Sequence, residues 1–146
     1  MDYNAIDTTI AKAFNKFERI GLGQYDDSTV GITVDGFVMW LIPEVMFIFD
    51  KTKLLRKGDT LNVKSLVKTD GYFDAKKSDS LLIHDKKTLA TIEGAGVEVW
   101  VDVKLLKTFD KSATFKIKSP ISPVLVYECN QLVGFIMPIR QPKTEG

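Results

Sequence analysis

The longest apolar stretch of the chain, from Gly36 to Asp50, is interrupted near its middle by Pro43 and Glu44. Both halves are rich in β-branched and aromatic residues, which favour strands, and proline is not tolerated inside a central strand. A helix that crosses a membrane needs about 18 or more consecutive apolar residues, which this stretch does not supply. The stretch therefore predicts two buried strands, Phe37 to Ile42 and Val45 to Phe49, and no membrane span.

The composition is that of one folded domain, with 146 residues of which 45% are hydrophobic and 27% are charged. The 20 Lys and Arg nearly balance the 19 Asp and Glu, so binding to nucleic acid would require the basic residues to be segregated on one surface. A single cysteine, Cys129, and a single histidine, His84, make neither an internal disulfide nor a common zinc site. The N-terminus lacks the pattern of a signal peptide, so we expect a cytoplasmic protein.

Apolar residues recur at helical spacing from Ile6 to Arg19, after a short possible strand at Asp2 to Ala5, and Gly21 and Gly23 end the pattern. One arc of the helical wheel holds the apolar residues Ile6, Ile10, Ala13, Phe14 and Phe17. The opposite side holds Lys12, Lys16 and Arg19. This segment therefore predicts a helix with one apolar face and one basic face.

A second two-faced helix is predicted from Val103 to Phe109, with Asp102 as its N-cap and the strand Val97 to Val101 before it. Leu105, Leu106 and Phe109 share one side of this helix, and Lys104 and Lys107 share the other. Three further strands are predicted at Ala113 to Ile117, Val124 to Glu128 and Leu132 to Ile139.

The same order of elements, a helix followed by strands, occurs near both ends of the chain. Val30 to Val34 is the first strand after the first helix. We therefore predict an α/β (α+β) fold, in which two similar halves place their helices on one side of antiparallel sheet. Residues 1–50 form the first half, 51–96 short connecting strands and loops, 97–140 the second half and 141–146 a tail.

The segment Ser122-Pro123-Val124-Leu125-Val126, followed by Leu132 to Arg140, resembles the closing strands of the bacterial DNA sliding clamp family. The resemblance is sharpest at Met137-Pro138-Ile139-Arg140, a Met-Pro-hydrophobic-Arg ending, and extends over Val97 to Arg140. A weaker similarity links Thr33-Val34-Asp35-Gly36-Phe37 to the family's Thr-Asp-Gly-His turn, with a Val inserted and Phe37 in place of His.

The resemblance implies a single clamp-like domain whose helices face duplex DNA and whose sheets face outward. Basic residues bind phosphates without reading sequence, and the candidates are Lys12, Lys16, Arg19, Lys104 and Lys107. The alternative is that these are ordinary charged helix faces. The family's pocket for peptides of DNA polymerase and other partners implies a second site at Met137, Pro138, Ile139 and Arg140, with Phe37 and Tyr127 contributing. The alternative here is that Met137 and Ile139 simply point into the core of an edge strand.

The resemblance predicts a processivity factor of DNA replication, of phage or mobile-element type, that forms a homo-oligomer around DNA. Clamp chains carry two or three such domains, so several copies must join, and the edge strands at the two ends of the domain offer the means. The alternative is a monomeric protein–protein interaction module that keeps the clamp fold without encircling DNA.

No Walker loop, Rossmann glycine pattern, zinc spacing or nucleophile elbow occurs in the sequence, so we expect no enzymatic activity, no metal and no cofactor. Turn chemistry accounts for acidic positions such as Asp26-Asp27 and Asp70-Gly71. Lys76-Lys77 and Lys86-Lys87 are interpreted as loop charges.

Overall fold

Strands are the main regular elements of the structure, a computed structural model in which residues 1–16, 18–56 and 58–142 are described. The fold is mixed α+β, as the sequence predicts. The described helices are α1 (Tyr3–Asn15), α2 (Lys51–Leu55), α3 (Val63–Leu66) and α4 (Val103–Leu106), with a 3₁₀ turn at Glu44–Met46. The described strands are β1 (Ile20–Asp26), β2 (Thr29–Val34), β3 (Val38–Pro43), β4 (Asp59–Thr60), β5 (Phe73–His84), β6 (Lys87–Gly94), β7 (Val97–Asp102), β8 (Thr114–Ile117), β9 (Val124–Glu128) and β10 (Gln131–Ile136).

The described strands form one continuous series in the order β4-β1-β2-β3-β10-β9-β8-β5-β6-β7. All neighbouring pairs are antiparallel except β1 and β4, which are parallel. The pairing of β3 with β10 joins the N-terminal and C-terminal parts of the chain, since Gly134 of β10 lies opposite Trp40 of β3. Strand β5 changes partner along its length: it pairs with β8 only as far as Ala75, and with β6 from Lys76 to His84.

Alternate residues of the central strands are buried on opposite sides of the sheet, because successive side chains of a strand point to opposite faces. In β3, Val38, Trp40 and Ile42 belong to the large core on the helix side. Met39 and Leu41 belong to a smaller core on the other side. The sheet is therefore covered on both faces at its centre.

Both predicted amphipathic helices pack on the large core. Helix α1 begins at the N-cap Asp2, whose carboxylate accepts from the Ala5 N–H at 3.1 Å, and buries Ile6, Ile10 and Ala13. Phe14, Leu105 and Phe109 lie in the same core, so the prediction that the two helices share one core is confirmed. The end of α4 meets the start of α1, where the Asp2 N–H donates to the Thr108 carbonyl at 2.9 Å.

On the other face, residues 61–63 and helix α3 lie directly on β1 and β2. Glycines permit this approach: a Cβ on Gly23 would lie 2.1 Å from the Leu61 carbonyl oxygen, and one on Gly31 would lie 2.6 Å from Val63. Gly21 and Gly23 therefore belong to a strand and make room for a crossing segment. The prediction that they end the first helix was wrong.

Several predicted boundaries also differ from the structure. Residues 2–5, predicted as a strand, are the N-cap and first turn of α1, because the Asp2 side chain satisfies a helix N–H. Helix α1 ends at Asn15, so Arg19 lies outside it, and Phe17 lies outside the described residues. The predicted strand at residues 45–49 is the 3₁₀ turn and a connection, because the Phe47 N–H turns back to the Glu44 carbonyl at 3.1 Å.

The predicted irregular region, residues 51–96, contains two short helices and the long β5–β6 hairpin. Most side chains of β5 are exposed, so its sequence lacks the apolar alternation that marks a half-buried strand. Lys76 and Lys77 consequently lie in a strand and not in a loop. Near the C-terminus, α4 and β10 end at Leu106 and Ile136, each three residues before the predicted end.

Candidate functional site

Four of the five predicted DNA-binding residues are exposed on the helix side of the sheet. Lys12 lies in the last turn of α1 and Lys16 is its C-cap. Lys104 lies in α4 and Lys107 is its C-cap. Because the apolar sides of both helices face the large core, these lysines point away from the sheet. The four lysine side chains therefore lie on one side of the molecule, as the sequence predicts.

Arg19 is separated from the helical lysines. Its guanidinium Nε donates to Asp59 Oδ2 at 3.2 Å, and its backbone N–H donates to Asp35 Oδ1 at 3.0 Å. It lies at the rim of a cavity whose walls include Phe135 and Met137, residues of the core on the opposite face. The structure thus associates Arg19 with the predicted peptide site.

This cavity, which we call the Met137 cavity, has a volume of about 340 Å³. Its apolar walls are Leu61, Leu66, Pro123, Phe135 and Met137. Polar groups at its rim include Arg19, Thr33, Asp35 and Asp59. Apolar walls with a few polar rim groups are typical of sites that bind a small anchor side chain.

The other predicted peptide-site residues do not line this cavity. Phe37 is exposed, and its carbonyl accepts from the Met137 N–H at 2.7 Å. Beyond Met137 the chain moves away to strand β7, where the Ile139 N–H donates to the Trp100 carbonyl at 2.8 Å. Tyr127 packs in the smaller core, with Lys116 Nζ 5.2 Å from its ring centroid. Pro138 is half-buried and Arg140 is exposed, so the Met-Pro-Ile-Arg segment does not form one continuous wall.

A larger cleft of about 600 Å³, which sequence reasoning missed, lies on the helix side where β5 leaves β8. Its floor includes Leu81, Val103, Leu106, Phe109 and Phe115. Its rim carries Lys76, Lys77, Lys107 and Lys111, and one acidic residue, Asp110. The only signal in the sequence was the run Leu81-Leu82-Ile83 within a polar region.

Tyr72 stabilises one wall of the Met137 cavity. Its hydroxyl donates to the carbonyl of Pro123 at 3.0 Å, and Pro123 forms one wall. Burial raises the pKa of the Tyr72 hydroxyl above its usual value of 10.0, and the neighbouring Tyr127 raises it further. The hydroxyl therefore keeps its proton and remains a hydrogen-bond donor at neutral pH.

Carboxylates near the β1–β2 turn are held in their ionised form. The backbone N–H of Ser28 lowers the pKa of Asp26, and Lys51, which is hydrogen-bonded and ion-paired to Glu44, lowers the pKa of that carboxyl. The two carboxylates are brought near each other by the Glu44 N–H to Ser28 carbonyl bond. Because Lys51 pairs with Glu44, the negative charge at this end of the molecule comes from the exposed Asp26 and Asp27.

The described part of the chain contains no group of three or more His, Cys, Asp or Glu that could hold a metal ion. His84 lies beside Asp85, at 3.4 Å, and its ring meets the edge of Trp100 with centroids 5.7 Å apart. Cys129 is exposed.

Among the residues described, no helix is both long and apolar enough to cross a membrane. Comparison with family models, curated proteins and solved structures found no match to this chain.

Proposed function

We propose that this protein is a non-catalytic, clamp-like accessory of DNA replication that acts in the cytoplasm as an assembly of several copies. Its helix side contacts the phosphates of duplex DNA, and its opposite side holds a peptide of DNA polymerase or another partner. The observation that carries the proposal is the separation of two surfaces by one sheet. Exposed lysines lie over the large core, and the Met137 cavity lies on the other face.

The DNA contact rests on Lys12, Lys16, Lys104 and Lys107, which lie on two helices of one core. A lysine on a solvated helix face binds a phosphate as a point charge and releases counterions, so affinity falls steeply as salt rises. Four such residues in one chain bind weakly by themselves. Repeating the face in several copies multiplies the contacts, which makes assembly part of the proposal.

The peptide contact rests on the Met137 cavity. Methionine adapts its shape to different ligands, and Leu61, Phe135 and Pro123 surround it with apolar surface. One buried anchor side chain carries most of the affinity in contacts of this kind. Arg19 and Asp35 at the rim are positioned to bind polar groups of the same peptide.

The proposal is tested by retention on circular and linear duplex DNA over a range of salt concentrations. A protein that encircles DNA is retained on the circle and slides off the linear ends. The triple variant Lys12→Glu, Lys16→Glu and Lys104→Glu should lose retention. The matched control reverses three exposed lysines elsewhere, Lys64, Lys68 and Lys87. Equal retention of wild type and the triple variant would refute the DNA contact.

A monomeric interaction module is the second candidate, and the edges of the sheet favour it. The outer edge of β7 is covered by the chain's own C-terminal segment, since Gln141 Nε2 donates to the Glu98 carbonyl at 2.7 Å and Ile139 bonds Trp100. At the other end, β4 has only two residues. Terminal edge strands therefore offer little for joining subunits. Light-scattering mass at increasing protein concentration separates the two candidates.

A further inference from the structure

The lysine-rimmed cleft lies open because strand β5 diverges from its neighbour. Beyond Ala75, β5 no longer pairs with β8, and in the described part of the chain residues 76–84 pair only with β6. The gap exposes Leu81, 55% accessible, beside Leu106 and Phe109. We call this the acceptor cleft. It combines an apolar floor with a cationic rim and an unpaired strand edge, which suits an apolar segment bordered by carboxylates.

A segment of that description lies elsewhere in the same chain. In residues 44–48, Val45 is 93% and Ile48 73% exposed, an unusual exposure for large apolar side chains. Phe47 and Phe49 pack on the core with ring centroids 6.0 Å apart, which holds the segment in place while Val45 and Ile48 project outward. We call residues 44–48 the donor segment.

The charges of the two surfaces are complementary. Glu44 of the donor segment is ion-paired to Lys51, and its N–H bond to the Ser28 carbonyl places Asp26 and Asp27 close by. Asp26 and Asp27 therefore supply the negative charge beside the donor segment. The acceptor cleft carries Lys76, Lys77 and Lys111, besides Lys107 of the proposed DNA surface, against Asp110. Complementary fields of this kind favour encounter between the two surfaces and disfavour contact of either surface with itself.

The two surfaces cannot meet within one chain, because α1 separates them. Its first turn is tied to Thr108 at the end of α4, beside the cleft. Its last turns lie beside Phe49, next to the donor segment, since Ala11, Phe14 and Phe49 line one small cavity. A helix of 13 residues is about 20 Å long at 1.5 Å per residue. A contact between donor and acceptor therefore requires two molecules.

We infer that the donor segment of one copy docks in the acceptor cleft of the next copy, so that the chains join head to tail. Val45 and Ile48 then cover Leu81 and Leu106, and the carboxylates face the lysine rim. Each bound pair leaves a free donor at one end and a free cleft at the other, so the assembly grows until it closes into a ring. The inference rests on the proposed function by naming the contact that assembly requires.

The test uses two variants of the full chain, each lacking one surface. The donor variant carries Val45→Asp and Ile48→Asp, and the acceptor variant carries Lys77→Glu and Leu81→Asp. All four side chains are exposed, so we expect both variants to fold. In sedimentation and light scattering, wild type should associate as concentration rises, and each variant alone should associate about tenfold or more weakly.

Mixing the two variants decides whether the contact is head to tail. An equimolar mixture retains one intact donor and one intact cleft, so it should form a 1:1 dimer and nothing larger. The control Ile121→Asp alters an equally exposed apolar residue outside both surfaces, and it should associate like wild type. If an acidic variant fails to fold, as judged by circular dichroism, the corresponding serine substitutions replace it.

A wild type that stays monomeric at every concentration overturns the inference, as does a mixture that stays monomeric while wild type associates. Variants that assemble as well as wild type also overturn it. These measurements contain no DNA, so they are independent of the retention assay. Retention on circular DNA by the donor variant would leave the proposed function standing and reject this contact.

Discussion

Thr108 joins the central sheet to both predicted helices. The indole N–H of Trp40, a fully buried residue of β3, donates to Thr108 Oγ1 at 2.8 Å. The Thr108 hydroxyl in turn donates to the Leu105 carbonyl at 2.6 Å, and the Thr108 carbonyl accepts from Asp2 at the start of α1. One small polar side chain thus fixes the position of α4 relative to the sheet that supports it.

Replacing this threonine tests the arrangement. Thr108→Val keeps the side-chain volume and leaves the buried Trp40 N–H without its acceptor, so the free energy of unfolding should fall by about 1–3 kcal/mol. Urea denaturation measures the change. Thr69→Val, at an exposed position, serves as the control and should be near neutral. Equal stability of Thr108→Val and wild type would contradict this role.

Tyr72 should make stability fall at alkaline pH. Its pKa in the folded protein is raised above 10.0, so above about pH 10 the unfolded state loses the proton first and the folded state binds more protons. Stability therefore decreases as pH rises through this range. Tyr72→Phe removes that dependence and also the bond to Pro123, which costs about 1 kcal/mol at neutral pH.

The difference in free energy of unfolding between wild type and Tyr72→Phe should consequently be largest at neutral pH. It should become smaller at about pH 10.5. Denaturant titrations at the two pH values measure it. Part of the loss of stability at rising pH should remain in Tyr72→Phe, because burial and Glu128 also raise the pKa of Tyr3. A difference that stays constant with pH would contradict the assignment to Tyr72.

At the scale of elements, the contact between β3 and β10 depends on a glycine. A Cβ on Gly134 would lie 2.1 Å from the Met39 carbonyl oxygen and 3.1 Å from the Phe109 ring. The backbone atom cannot move without separating the two strands that unite the ends of the chain. Gly134 therefore permits both the pairing of β3 with β10 and the packing of Phe109 against it.

Gly134→Ala should lower stability by about 2 kcal/mol or more, since overpacking against backbone forces the strands apart. Thermal denaturation followed by circular dichroism measures the loss. Gln131→Ala, at an exposed position of the same strand, is the comparison and should melt like wild type. If Gly134→Ala and Gln131→Ala had the same melting temperature, the close approach at Gly134 would not contribute to stability.

At the scale of the whole molecule, the sheet separates the two proposed binding surfaces, so their mutational effects should be independent. Met137→Ser should weaken binding of a clamp-type peptide by more than about 1 kcal/mol, because it removes an apolar wall of the cavity. Arg140→Ala should have little effect, since Arg140 does not line the cavity. Calorimetric titration measures both.

The same Met137→Ser variant should be retained on circular DNA like wild type, and the triple lysine variant should bind the peptide normally. Distant sites without shared partners usually behave additively. A loss of peptide affinity in the triple lysine variant would show that the DNA surface and the Met137 cavity are coupled or form a single site.

The sequence by itself determined the elements that have a clear local signal, either periodic burial or a run of β-branched residues between turns. The strands β2, β7 and β9 and the N-cap Asp102 could be predicted, as could the buried and charged sides of α1 and α4. Periodicity was sufficient for α1, α4 and β7, which bury one face and expose the other. Strands β2 and β9 are buried on both faces and were predicted from their β-branched residues and the turns that bound them.

Only the tertiary structure decided the rest, because the deciding partners are far away along the chain. Gly21 and Gly23 end a helix by local rules, yet they lie in β1 because residues 61–63 must cross over them. Met137 and Ile139 have the alternating spacing of one strand, but their N–H groups bond different parts of the fold. Met137 donates to the Phe37 carbonyl and Ile139 to the Trp100 carbonyl. The acceptor cleft exists because β5 leaves β8 after Ala75, a change of partner that its mostly exposed side chains do not reveal. Local sequence determines which face of an element is apolar, whereas pairing between distant strands determines what that face meets.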